Sequence, residues 1–290
     1  MDTEITTPLG VVCHDAGGTN QILAMLRKSG FHNVCGYFEG PARELWRKAG
    51  APFELAEDMP QLLSRVSVLL TGTGWGSRIE HDARFEAKRR GIRSIAVLDH
   101  WVNYHARFVR DGLVVLPDEI WVVDKYALEI AHQIFPGLSI LLKQDSYAEQ
   151  EIARIKPINQ VSSNQLCYLL EPARSNWGYN ELGEFQALRY FLESIPQLEL
   201  PEDTKIYLRP HPSDQLGKYD SYLKEWHGHR VELDLSDLAE SLSRSRWVAG
   251  CQTYALTLAL RAKRTVYCTL PPWAPCCQLP HNGLIHISKL

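Results

Sequence analysis

Short runs of valine, isoleucine and leucine alternate with helix-like segments along the whole chain, and this alternation limits the fold more than any other feature. The runs are apolar throughout, as in strands whose two faces are both buried. They are LGVVC, HNVCGYF, VSVLL, RSIAV, EIWVV, LSILL, QLCYLL, TKIYL, RVELD, RWVAG and RTVYC. Because helical segments separate most of them, the sequence predicts an α/β protein with parallel sheets covered on both faces.

The alternation is interrupted once, between about Tyr147 and Asn164, by a charged helical stretch and the polar segment PINQVSSNQ. A chain of 290 residues also exceeds the usual domain size of roughly 100–200 residues. We therefore expect an N-terminal Rossmann-like domain over residues 1–147, a linker over 148–164 and a C-terminal Rossmann-like domain over 165–290. Two such halves place a cleft between them, and ligands of open parallel sheets bind beyond the carboxyl ends of the strands.

Composition excludes several classes of protein. The net charge of −3 provides no basic field for nucleic acid. No apolar stretch approaches the ~20 residues of a membrane span, and Leu9–Cys13 is too short for the apolar core of a signal peptide. The seven cysteines form no CxxC pair, which argues against a zinc or redox motif. We expect a reduced, cytoplasmic protein.

Glycines and polar side chains follow the first strand in the segment HDAGGTN. Asp15 precedes Gly17 and Gly18, which would let a ligand approach the backbone, and Thr19 or Asn20 is the expected helix N-cap. The segment is not GxGxxG, so it provides no dinucleotide fingerprint. A capped turn without a ligand remains the alternative.

Two further loops of the first half are unusually polar or glycine-rich. TGTGWGSRIE places Glu80 just inside a helix, and LDHWVNYHARF crowds polar and aromatic groups into one connection. Loops on a rigid scaffold often hold functional residues. The candidates in the second loop are Asp99, His100, Trp101, Asn103 and Tyr104. A buried hydrogen-bond network is the alternative there.

In the second half, the segment RPHP follows a strand directly and presents Arg209 and His211 between prolines that stiffen the turn. A later strand ends at Gly250, and Gln252 and Thr253 open the next helix. A helix N-terminus favours an anion, and charge-assisted hydrogen bonds strengthen such binding. These residues predict a phosphate site that requires no metal.

The HP pair and the glycine-polar-polar helix start resemble the glycosyltransferases of the GT-B fold. The nearer similarity is to bacterial surface-polysaccharide enzymes, namely sialyltransferases, Kdo transferases and CDP-glycerol glycerophosphotransferases. In several of these an HP pair contacts the donor phosphate, which corresponds to His211 and Pro212. A polar pair opening a later helix corresponds to Gln252 and Thr253, although sialyltransferases have paired serines there, which leaves the donor open.

The resemblance implies metal-independent transfer of a sugar from a (di)phosphate-activated donor, such as a nucleotide sugar, to a glycan hydroxyl. It implies no cofactor, a role in surface-polysaccharide synthesis, and protein partners from polysaccharide assembly. Such transfer needs a base, for which we prefer Asp15, with Asp99 and His100 shaping a sugar site. The expected acceptor side is Gly17, Gly18, Glu80, Trp101, Asn103 and Tyr104, and the expected donor side is Arg209, His211, Gly250, Gln252, Thr253 and Glu171.

Three alternatives stay open. They are a transferase with a non-nucleotide donor such as phosphoribosyl diphosphate, a sugar-nucleotide epimerase, and a non-catalytic nucleotide-binding subunit. The loop after the first strand lacks the signature of the non-hydrolysing epimerases, which places that reading lower.

Overall fold

The structure is a computed structural model that describes residues 8–31, 33–50, 53–74, 76–225 and 231–290. The chain forms two compact units, Met1–Glu149 and Gln150–Leu290. The boundary falls inside helix Ser146–Arg154, so the segment expected to be a linker is partly helical. Its remainder contains a short 3-10 turn, Ile158–Gln160.

The first unit is built on a seven-stranded parallel sheet with strand order β3-β2-β1-β4-β5-β8-β9. Its strands are β1 (Leu9–Cys13), β2 (Val34–Phe38), β3 (Glu54–Leu55), β4 (Val68–Thr71), β5 (Arg93–Val97), β8 (Glu119–Val122) and β9 (Ser139–Leu142). A separate antiparallel hairpin consists of β6 (Val109–Arg110) and β7 (Leu113–Val114). The helices are α1 (Ala16–Ser29), α2 (Gly40–Ala49), α3 (Met59–Arg65), α4 (Ile79–Arg89), α5 (Lys125–Ile134) and α6 (Ser146–Arg154).

The second unit contains a six-stranded parallel sheet with strand order β12-β11-β10-β13-β14-β15. Its strands are β10 (Gln165–Leu169), β11 (Lys205–Arg209), β12 (Val231–Leu233), β13 (Trp247–Gly250), β14 (Thr265–Cys268) and β15 (Leu284–His286). The helices are α7 (Gly183–Ser194), α8 (Asp220–Glu225), α9 (Leu238–Arg244) and α10 (Tyr254–Arg261).

Burial explains why these runs form central strands. Every residue of β1 is buried, and so is every residue of β4. Their valines and leucines pack against Ile22 and Leu26 of α1 in one apolar cluster. Helix α1 ends at Gly30, whose φ of 66° is in the left-handed region that glycine adopts most easily.

Strand order determines which loops become neighbours. In the first unit β1 lies beside β4, and β4 beside β5, so the loops that follow them emerge side by side. In the second unit Leu169 of β10 is paired with Arg209 on one side and with Gly250 on the other. Within each unit, the candidate residues therefore share the carboxyl edge of one sheet.

The structure departs from the sequence expectation at the start of α1. The N-cap of α1 is Asp15, four residues before the expected Thr19, so Gly17 and Gly18 belong to the first turn of the helix instead of a preceding loop. His32 and Arg230, where two strands were expected to begin, lie outside the described residues. In the described ranges, no helix has the length and apolar character needed to cross a bilayer.

Candidate functional site

A histidine–aspartate pair occupies the carboxyl end of β1. Nδ1 of His14 lies 2.6 Å from Oδ1 of Asp15. Asp15 is the N-cap residue of α1, yet its side chain makes no capping hydrogen bond. About a third of the Asp15 side chain is exposed (34%), compared with 19% for His14. The pair is therefore accessible to a ligand. The sequence singled out Asp15 but did not indicate that His14 contacts its carboxylate.

Glycines allow the loops after β1, β4 and β5 to pack closely around Asp15 and Asp99. A Cβ atom at Gly74 would lie 2.2 Å from Oδ2 of Asp15, and one at Gly17 would lie 1.9 Å from Oδ2 of Asp99. A Cβ at Gly18 would lie 3.2 Å from the Cα of Gly72. Gly17 and Gly18 therefore bring the first turn of α1 against the loops after β4 and β5, a contact within the protein itself.

Asp99 belongs to a partly buried ion-pair network. Its Oδ1 accepts a hydrogen bond from Arg107 at 3.1 Å, and 18% of the Asp99 side chain is exposed. The guanidinium of Arg107 is buried and also donates to the carbonyl oxygens of Thr73 and Val102. Asp99 is consequently fixed in place, more firmly enclosed than Asp15.

Glu80 lies beneath these loops and is buried. Its carboxylate accepts hydrogen bonds from the backbone N–H of His14, at 3.1 Å, and of Gly74. Burial raises the pKa of Glu80 above its ordinary value. The structure thus places this expected acceptor contact inside the protein, where it joins the end of β1 to the loop after β4.

The loop after β5 divides into buried and exposed residues. Trp101 is buried and its indole N–H donates to Asp124 Oδ2 at 2.8 Å, while its backbone N–H donates to His100 Nδ1 at 3.0 Å. Tyr104 is also buried, and burial raises its pKa above the ordinary tyrosine value. Asn103 is exposed, with a left-handed φ of 59°. Trp101 and Tyr104 therefore support this loop from the interior, whereas Asn103 and half-buried His100 reach its surface.

The HP loop of the second unit holds its histidine in one tautomer. Nδ1 of His211 lies 2.7 Å from the hydroxyl of Ser213 and accepts from the Ser213 backbone N–H at 3.2 Å. Burial, together with the nearby cations Arg209, Lys218 and Arg174, lowers the pKa of His211 despite the opposing effect of Asp214. A neutral imidazole that accepts at Nδ1 has its proton on Nε2, so His211 can donate from Nε2 to a bound group.

Arg209 and His211 border a cavity of about 440 Å³ at the ends of β11 and β12. Nε of Arg209 is buried and has no hydrogen-bond partner in the described part of the chain. Asp214 braces the loop by accepting from the His211 backbone N–H at 2.9 Å and from Lys218 Nζ at 2.7 Å. Burial alone would raise the pKa of Asp214, but these hydrogen bonds outweigh it and lower the pKa. Sequence reasoning missed Asp214 and Lys218, although a carboxylate three residues after His211 has the spacing at which a side chain can reach back to a backbone N–H.

A carboxylate already occupies the start of α10. Oε2 of Glu171 accepts from the backbone N–H of Gln252 at 2.8 Å. Burial raises the pKa of Glu171, and hydrogen bonds from the Gln252 and Thr253 backbones partly offset that effect. A Cβ at Gly250 would lie 3.0 Å from the carbonyl oxygen of Leu169. The expected open phosphate position at this helix is thus filled by the chain's own Glu171.

The expected donor residues consequently form two groups along one sheet edge. Arg209 and His211 border the cavity, while Glu171, Gln252 and Thr253 are linked around the start of α10 and do not line it. Within the described ranges, no group of three or more histidine, cysteine, aspartate or glutamate side chains is arranged to hold a metal ion.

No family model matches the chain, and no curated protein matches its sequence. Solved structures do match its fold. UDP-GlcNAc 2-epimerase from Methanocaldococcus jannaschii is 10% identical with a TM-score of 0.60, covering 97% of this chain and 89% of that one. MurG from Acinetobacter baumannii is 11% identical with a TM-score of 0.54, and the match covers 98% of this chain and 87% of MurG. The wall teichoic acid polymerase TagF is 12% identical with a TM-score of 0.55, and the match covers 98% of this chain and 78% of the TagF chain.

These neighbours include GT-B glycosyltransferases and UDP-GlcNAc 2-epimerases. At 10–12% identity the likeness is one of fold, and it covers nearly the whole chain. The chain therefore has the GT-B fold with two Rossmann-like units, as its sequence predicts.

Proposed function

We propose that this protein is a metal-independent glycosyltransferase that moves a sugar from a phosphate-activated donor, such as a nucleotide sugar, to a hydroxyl of a glycan. The observation that supports the proposal most strongly is the arrangement of the HP loop on a GT-B fold. His211 presents an Nε2–H donor, and Arg209 contributes a guanidinium beside the same cavity. Donors placed where the leaving phosphate gains charge lower the barrier to transfer.

The donor phosphate is assigned to His211 and Arg209, and a different role is assigned to Glu171. A carboxylate repels phosphate but accepts hydrogen bonds from hydroxyl groups. Glu171, together with Gly250, Gln252 and Thr253, accordingly suits the uncharged sugar or ribose portion of a donor. The carboxylate is held by two backbone N–H groups, which fixes its orientation.

Asp15 is the proposed base. It is more exposed than Asp99, the other candidate aspartate of the first unit, and His14 is hydrogen-bonded to it. Asp99, paired with Arg107, is assigned to holding a sugar hydroxyl, together with His100 and Asn103. Glu80, Trp101 and Tyr104 support these residues from the interior, and Gly17 and Gly18 allow α1 to approach them.

A thermal-shift screen of the purified protein tests the proposal. CMP, CDP, UDP, GDP and phosphoribosyl diphosphate are each added at saturating concentration, and the melting temperature is compared with that of the free protein. A nucleoside mono- or diphosphate should raise the melting temperature, because a ligand that binds only the native state stabilises it. Stabilisation by phosphoribosyl diphosphate alone would indicate the non-nucleotide donor. No stabilisation by any of the five would contradict the assignment.

A sugar-nucleotide epimerase is the second candidate, favoured by the TM-score of 0.60 to an epimerase structure. The two reactions differ in their need for an acceptor. An epimerase converts UDP-N-acetylglucosamine to its C2 epimer with no second substrate, which proton NMR detects directly. A transferase gives no epimer and releases nucleotide only when an acceptor is present.

A further inference from the structure

Three aromatic side chains line another cavity of the C-terminal unit, beside α7. Tyr179, Tyr190 and Trp273 border this cavity of about 630 Å³. The ring centroids of Tyr179 and Trp273 are 5.8 Å apart, and those of Tyr190 and Trp273 are 5.7 Å apart. Tyr179 is 54% exposed and Trp273 is 45% exposed. Exposed aromatic rings that border one cavity can pack against a bound ligand.

One buried amide holds the two sides of this aromatic cavity together. Nε2 of Gln186 donates to the carbonyl oxygens of Asn176 and Glu181, both at 2.7 Å. Oε1 of Gln186 accepts from the indole N–H of Trp273, also at 2.7 Å. Gln186 is buried, so these bonds are protected from competing water. The loop after β10 and the loop after β14 are thereby fixed relative to each other.

The backbone of the loop after β10 is also constrained. Trp177 has a left-handed φ of 46°, which is unfavourable for a bulky residue. Its ring lies over Gly183, where a Cβ atom would come within 2.6 Å of the indole. The N–H of Gly183 donates to the Ser175 carbonyl oxygen at 2.7 Å. Backbone strain that the surroundings maintain is common at ligand sites.

Polar groups with hydrogen-bonding capacity border the aromatic surface. In the described ranges, the side chains of Asn180 and Glu193 make no hydrogen bond to the protein. Glu181 and Arg189 form an ion pair at 2.7 Å. Gln186, Tyr190 and Glu193 lie at helical positions i, i+4 and i+7, so they follow one face of α7 over about 10 Å.

We propose that this aromatic cavity binds a carbohydrate chain. The C–H face of a pyranose ring is apolar and packs against aromatic rings, while its hydroxyls bond to carboxylate and amide groups at the rim. A cationic ligand fits less well, because Trp273 contacts both tyrosine rings and the three rings therefore do not surround a central space. The length along α7 accommodates more than a single sugar ring.

The site would hold part of an acceptor or product glycan for the proposed transferase. The proposed role of this site as an acceptor or product site rests on the proposed transferase function. Carbohydrate binding itself requires neither donor nor transfer. The residues of this site are distinct from Arg209 and His211, and the two cavities share no lining residue.

The purified chain is tested on an array of immobilised neutral, N-acetylated and acidic oligosaccharides, followed by calorimetry with the best soluble oligosaccharide. Tyr179→Ala removes an exposed ring without disturbing Gln186, whereas Trp273→Ala also leaves Gln186 Oε1 without the indole N–H. Circular dichroism melting compares the stability of both variants with that of the wild type. Phe85→Ala is the matched control, because Phe85 is 38% exposed on α4 of the other unit. Tetramethylammonium chloride serves as the cationic probe. The nucleotide that stabilises the protein in the thermal-shift screen serves as the donor probe.

The wild type and Phe85→Ala should bind the same oligosaccharide equally, and each cavity variant should bind it about tenfold more weakly or worse. Nucleotide binding should be unchanged in the cavity variants. The proposal is overturned if no array member binds, or if both cavity variants bind like the wild type. Trp273-dependent binding of tetramethylammonium would overturn it in favour of a cationic ligand. Loss of nucleotide binding in Trp273→Ala would overturn it by assigning the cavity to the donor.

Discussion

At the scale of single residues, Asp15 and Asp99 are carboxylates at neighbouring strand ends with different surroundings. Asp99 is paired with the buried guanidinium of Arg107, whereas Asp15 is more exposed and contacts His14. If Asp15 takes the acceptor proton, Asp15→Asn should lower turnover by roughly 10²–10⁴ with little change in donor affinity. Asp99→Asn should reduce turnover less and act mainly through substrate binding. Steady-state kinetics and donor calorimetry on the same samples measure both effects.

His14→Gln shows which member of the pair receives the proton. A small decrease in turnover would leave Asp15 as the base, oriented by its neighbour. A decrease as large as that of Asp15→Asn would make the imidazole the base and Asp15 its positioning residue. Normal turnover of Asp15→Asn with a lower melting temperature would instead transfer the role of base to Asp99.

His211 gives the donor site a defined pH dependence. In the free protein its pKa lies below the ordinary value of about 6.5, so the imidazole is neutral at pH 7. A bound phosphate favours the charged imidazolium and raises that pKa, so binding takes up a proton. Nucleotide affinity should therefore increase as the pH falls from 8 to 6. Titration of His211→Asn over the same range corrects for ionisation of the ligand, and identical slopes for the two proteins would contradict this prediction.

At the scale of elements, Glu80 joins the end of β1 to the loop after β4 through two backbone hydrogen bonds. A glutamine has only one side-chain oxygen, so Glu80→Gln leaves a buried N–H without its partner. The free energy of unfolding should fall by about 1–3 kcal/mol, as measured by urea denaturation. Glu86→Gln is the matched control on the same helix, where a surface ion pair with Arg89 is removed. A loss in Glu80→Gln no larger than in that control would contradict the structural role.

The strands were predictable from the sequence, whereas several connections were not. Runs such as LGVVC are apolar at every position, and burial on both faces gives that signal directly. Strand β3 and the β6–β7 hairpin have two residues per strand, too few for any periodicity. Helix α1 begins before the glycines, and Gly17 lies where its first turn packs against Asp99. Local helix propensity does not reveal such a long-range contact.

The sequence identified the loops of the candidate site better than the orientation of each side chain. It singled out Asp15, Asp99, Arg209 and His211, and all four lie at the carboxyl edge of their own sheet. It did not reveal that Glu171 bonds to the backbone of Gln252, because those residues are 81 positions apart. The sequence also did not indicate that Trp101 is buried, since its hydrogen-bond partner Asp124 follows a different strand.

At the scale of the whole molecule, the alternation of strands and helices predicted two Rossmann-like units, and the GT-B fold of solved neighbours confirms that architecture. The proposed chemistry uses side chains in place of a divalent ion, because Arg209 and His211 supply the positive charge and hydrogen bonds at the leaving phosphate. Activity should persist in excess EDTA. Complete loss that added Mg²⁺ or Mn²⁺ restores would show that the carboxylates hold a metal.

Binding of the donor phosphate by the HP loop is tested by calorimetry with the stabilising nucleotide. His211→Ala and Arg209→Ala should each weaken binding by about tenfold or more, since each removes a charge-assisted or strong hydrogen bond to phosphate. Lys205→Ala, at the opposite end of β11, is the matched control and should bind like the wild type. Equal affinity in the wild type and in both loop variants, with unchanged melting temperatures, would show that the HP loop does not bind the donor phosphate.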